Sequence, residues 1–129
     1  MKTAILGLVA AIGLAGMAAA DPIEGQWRTA PDDNGNTGIV TVVPCGTNFC
    51  GTLTEAFDGS GATMASENVG RQIIWDTTLR GGGEYRGRLY SPDRDATYNS
   101  RLYLNGDTMS VCGRLLGIQR CGGDWTRVN

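Results

Sequence analysis

Gly25-Gln26-Trp27 and Trp125-Thr126-Arg127 are the stretches whose reading decides the fold. Between them lie short alternating segments and turn dipeptides, with no sustained helical period. A Trp on the first strand and an Arg on the last fit a sheet whose two ends meet. The Arg127 guanidinium would then stack on the Trp27 indole and bond nearby carbonyls as the sheet closes. The expected architecture is all-β, a small antiparallel barrel.

Working outward, Ile23 to Thr29 reads as a strand, followed by a turn over Pro31 to Asn36 in which Asn34-Gly35 can take positive φ. Its Asp/Asn spacing resembles a calcium loop, but Thr37 stands where the turn Gly belongs and Val43 where a bidentate Glu belongs. Further strands are expected over Thr37 to Cys45, Cys50 to Ala56, Arg71 to Trp75, Glu84 to Tyr90, Thr97 to Leu104 and Thr108 to Arg114. Leu115 to Cys121 and Asp124 to Val128 complete the sheet, with a bulge at Gly122-Gly123. The count is about eight, at which a closed barrel holds side chains or one small ligand. Phe57 to Gly70 shows no clear period and is read as a crossing or a lid with a short helical turn over Ala62 to Asn68.

Met1 to Ala20 reads as a cleavable signal peptide: Lys2, an apolar run from Ala4 to Met17, then Ala18-Ala19-Ala20 before Asp21. Met17 occupies the place of a lipid-bearing cysteine after Leu14-Ala15-Gly16, so no lipid anchor is expected, and no membrane span. Residues 21–129 make one domain. That domain holds ten Arg, no Lys and 13 carboxylates, a net charge of −3 that disfavours nucleic acid as partner. The address expected is the periplasm or the exterior.

Four cysteines in an exported chain favour two disulfides over thiols. Local pairing, Cys45 with Cys50 and Cys112 with Cys121, suits two hairpins. The spacing lacks the two C-x-x-C knuckles of a four-cysteine zinc site.

Asp21-Pro22-Ile23-Glu24-Gly25-Gln26-Trp27, Cys45, Cys50-Gly51, Tyr90-Ser91-Pro92, Thr97-Tyr98 and Trp125-Thr126-Arg127 together resemble the secreted bacterial family called domain of unknown function 2147. Ser91 and Asp95-Ala96 depart from that family's usual turn. The resemblance implies a lipocalin-like or calycin-like barrel in the envelope of a Gram-negative bacterium. It implies no reaction.

Chemistry is sparse. The chain has no His, and the domain no Lys, so the commonest bases, metal ligands and Schiff-base formers are missing. Two carboxylate pairs are conceivable, Asp93 with Asp95 and Glu84 with Glu55, but turn and surface duty is the plainer role. No enzyme activity, cofactor or metal is expected. Interior candidates for a small apolar or amphipathic ligand are Tyr85 and Tyr98 on the Leu-bearing strand faces, joined by Trp75 and Met109, with Phe57, Met64 and Val69 on the lid. The same residues would equally serve as core filling. Trp27, Trp125 and Arg127 are expected to close the barrel. The alternative function is a protein–protein module of the envelope, partner or protease-inhibitor type, with no ligand cavity.

Overall fold

The structure, a computed structural model, describes residues 20–129. The expected leader, Met1 to Ala20, lies outside the described residues apart from Ala20.

Eight antiparallel strands close in sequence order: β1 (Gly25–Arg28), β2 (Thr37–Cys45), β3 (Asn48–Phe57), β4 (Gln72–Gly81), β5 (Glu84–Ser91), β6 (Ala96–Asn105), β7 (Thr108–Leu115) and β8 (Ile118–Arg127). No helix is present among the described residues, hence none long and apolar enough to cross a membrane. The helical turn expected over Ala62 to Asn68 is absent. Thr63 instead bridges back to Phe57, and Met64 N–H bonds Ala56 O at 2.9 Å. Gly70 N–H reaches Leu53 O at 2.7 Å and Leu53 N–H reaches Arg71 O at 2.9 Å. The backbone donors and acceptors of this crossing are thus partly satisfied along β3, and Arg71 stacks 3.9 Å over the Tyr90 ring.

Two expected boundaries shift for a shared reason. β4 runs past Trp75 to Gly81 because Asp76, at φ 50°, takes up the irregularity as a bulge before the ladder resumes at Thr78 with Arg86. The two expected final strands are one, β8, whose extra residue lies between Cys121 and Asp124. Period-two reading breaks at both places although pairing continues.

The interior is filled by alternate residues of every strand. Trp27, Val40, Val42, Leu53, Ile74, Tyr85, Leu102, Met109, Val111 and Trp125 form one buried cluster. Ile23 seals one end, which also carries the tight turns Gly46-Thr47, Gly82-Gly83 and Gly106-Asp107. There Trp27 Nε1 donates to Ile23 O at 2.9 Å, and the Arg127 guanidinium stacks 4.3 Å over the Trp27 ring. Arg127 also donates to Glu24 O at 2.9 Å, to Pro22 O and to Asp107 Oδ1 at 2.9 Å. One side chain thereby ties the first strand, the last strand and the β6–β7 turn together.

Closure is short, however. β1 meets β8 through Trp27 with Arg127 and Arg28 with Thr126, and Gln26 adds backbone bonds to Val128 and Asn129 just beyond β8. From Ile118 to Asp124 every residue of β8 is exposed, because β1 has ended; of the chain that follows it, Ala30 comes against Gly123, and no strand pairs with Ile118 to Gly122 on that side.

Candidate functional site

The residues expected to line a pocket are dispersed. Tyr85 and Met109 are buried in the cluster, 1% and 0% exposed, so they fill the barrel. Tyr85 makes an edge contact with Phe49, centroids 6.4 Å apart, and its hydroxyl donates to Asp21 Oδ1. Tyr98 points inward but is half-buried, its ring laid across Gly113, where a Cβ would fall 3.0 Å from Tyr98 Cβ and Cγ. Trp75 pairs with Arg88 and therefore stands on the outer wall, not in the interior. Phe57 is outside as well, under the Arg28 guanidinium at 5.0 Å. Met64, half-buried, belongs to the segment bonded along β3. The structure does not gather these six residues around a common space.

An open cleft of about 340 Å³ lies beside the sealed end, between Pro22, Leu79, Tyr85, Leu104 and the β4–β5 and β6–β7 turns. The Tyr85 phenol forms its floor. Burial first, and then the Asp21 carboxylate, hold that phenol neutral well above its ordinary value of 10.0. An unfolded phenol ionises near 10.0, so this contribution to stability is intact below pH 10 and shrinks as pH climbs beyond it. Tyr90, held up by Asp95, acts in the same sense. We expect urea midpoints of the wild type to fall more steeply above pH 10 than those of Tyr85→Phe; parallel curves would show that Tyr85 carries no such linkage.

The Glu84–Glu55 pair does not assemble. Glu55 is paired with Ile39 on β2 and Glu84 with Gly81 on β4 and Tyr103 on β6, so the two lie on non-adjacent strands. Glu84 bonds Arg86 Nε at 2.6 Å, which lowers its carboxyl below the usual range. Asp95 accepts from Tyr90 at 2.8 Å, while desolvation and the Asp32 and Asp33 charges raise Asp93. Cys45–Cys50 and Cys112–Cys121 are disulfides, which suggests a non-cytoplasmic environment and leaves no thiolate donor among the described residues. No group of three His, Cys, Asp or Glu among those residues is placed to hold a metal.

The feature that stands out was missed by reading strands singly. The β7–β8 hairpin rises beyond the closed barrel, rooted by Cys112–Cys121, with Leu115 53%, Leu116 93% and Ile118 60% exposed. Its two-residue turn puts Leu116 at φ 54° and Gly117 at φ 80°, a conformation that favours Asn-Gly. On its outer side lies a second cleft of about 250 Å³, lined by Asn99, Arg101, Arg114, Leu116 and Gly117. The sequence signal was the unbroken Leu115-Leu116-Gly117-Ile118, an apolar turn where polar residues are the rule.

A family model described as an uncharacterized protein conserved in bacteria (DUF2147) matches residues 25–127. No curated protein and no solved structure matches the chain.

Proposed function

This chain belongs to the bacterial family grouped as domain of unknown function 2147, and from that premise we propose that it is a non-catalytic protein-docking module of the cell envelope. Its docking element is the free edge of β8. The observation that carries the reading is the protruding hairpin: Leu115, Leu116 and Ile118 exposed at its tip, beside a β8 edge left unpaired, above an interior already filled by the barrel's own side chains.

Edge geometry follows from the ladders. The Asn105–Thr108 pair closes β6–β7 over a two-residue turn, so alternate pairs down to Asn99–Arg114 exchange hydrogen bonds. Arg114 therefore directs its backbone groups to β6. Its β7–β8 partner Gln119, and likewise Cys121, turn their N–H and C=O groups away from β7. No backbone bond outside the strands reaches residues 118–124. Such an edge accepts an added strand, and proteins that do not use one commonly cover or charge it.

Leu116 supports the same reading. A fully exposed Leu at positive φ costs stability on two counts, backbone strain and solvated apolar surface. We expect Leu116→Asn to raise stability by about 1 kcal/mol while weakening docking. Thermal unfolding, together with photo-crosslinking from position 116 in envelope extracts, checks both. An unchanged or lower melting temperature contradicts the turn argument, and crosslinks no different from those of a probe at Glu55 contradict the docking argument.

A further inference from the structure

The geometry points to an acidic partner: the segment that pairs with β8 is an extended strand whose carboxylates meet the Arg114 guanidinium, with the Arg101 charge standing one strand behind it. This rests on the docking reading above and adds the chemistry of what docks.

The outer wall of β5–β8 carries a block of positive charge on a domain whose net charge is −3. One row across the sheet runs Arg88, Asn99, Arg114, Gln119, and the next runs Arg86, Arg101, Cys112, Cys121. Arg86 and Arg101 are directly opposed, an arrangement that destabilises a sheet unless a counter-charge intervenes. Glu84 supplies one, at 2.6 Å from Arg86 and 3.8 Å from Arg101. Arg88 is engaged with Asn99 Oδ1 at 2.5 Å. Arg114 makes no ion pair with any described residue, and it forms the cationic wall of the 250 Å³ cleft that Leu116 closes on the apolar side.

A strand added at the β8 edge extends both rows by one position. Outer-face residues of the newcomer lie beside Gln119 and Cys121, two strand spacings or about 10 Å from the β7 backbone. That is within the combined reach of a Glu and an Arg side chain, and a guanidinium fork suits a carboxylate better than any neutral group. On the inner face of the same hairpin stand Leu115, Ile118 and Arg120, mostly apolar and exposed. The sequence that fits is one alternating acidic with apolar residues, its acidic face outward. Steering by the Arg block would also make association fall with salt.

A displayed library of random ten-residue peptides tests this against three forms of the full domain: wild type, Arg101→Gln with Arg114→Gln, and Gln119→Pro. Pro at 119 removes a donor that faces the open edge and spares the ladder to β7. The wild type is expected to enrich peptides with alternating acidic and apolar residues. Binding of those peptides should fall at least tenfold on the double Gln variant, which should itself enrich without acidic bias. On Gln119→Pro, enrichment should vanish. Protection of the Gln119 and Cys121 amides in the wild type on adding a selected peptide provides the check that does not depend on how a variant folds. Enrichment without acidic bias on the wild type overturns the acidic partner and leaves β8 docking standing. No enrichment, or no protection of those two amides, overturns the docking reading itself.

Discussion

Trp27→Ala is expected to destabilise the barrel by about 3–5 kcal/mol, the cost of emptying a large buried aromatic site. Trp27 is 0% exposed, roofs the cluster beneath Ile23 and carries the Arg127 stack. For a domain this size that is a large share of the whole folding free energy. Arg127→Ala should cost about 2 kcal/mol, through the lost stacking and the Pro22 and Glu24 carbonyls left without their donor. The two side chains form one latch, so the double variant should cost less than the sum of the singles. Urea denaturation of the four proteins measures the coupling. Strict additivity would mean that Trp27 and Arg127 act separately, and closure would then need another explanation.

The second large effect concerns the disulfides, which have different jobs although both staple hairpins. The nine-residue separation of Cys112 and Cys121 corresponds to roughly 2.5–3 kcal/mol of loop-closure entropy, and the five-residue separation of Cys45 and Cys50 to roughly 2 kcal/mol. Replacing either pair with Ser should therefore lower stability by about those amounts. Only the first should affect docking. Cys112–Cys121 roots a ribbon that has no neighbour on its β8 side, so its loss frees the hairpin to fray and removes the prearranged edge. Cys45–Cys50 lies at the sealed end, in the β2–β3 hairpin, whose two strands are both paired on their other sides. Equal loss of peptide binding in the two Ser pairs would contradict this division of labour.

Much of the barrel was legible because its signals are local or paired by ends. Thr37–Cys45 emerged with the expected bounds, and Trp27 with Arg127 announced closure. The disulfide pairing followed from hairpin spacing. What failed was whatever depends on a residue outside its own strand's pattern. Trp75 looked like interior lining because a large aromatic usually seeks the core, yet its partner Arg88 fixes it outward. The short helical turn expected over Ala62 to Asn68 did not form, because the crossing spends its backbone groups on β3. The docking edge was invisible for a similar reason: a strand's sequence says which face is apolar, not whether a neighbour is missing. β8 is bare from Ile118 to Gly122 because β1 ends at Arg28, and that is a fact about β1.

The central claim is that β8 offers an open edge above a filled barrel, and residue-resolved amide hydrogen exchange on the free protein tests it most directly. Ladder alternation predicts slow exchange at Ile118 and Arg120, whose N–H groups face β7, and fast exchange at Gln119 and Cys121, whose N–H groups face solvent. Matching protection at all four amides would mean that the edge is already covered, and the docking function would have no place to act.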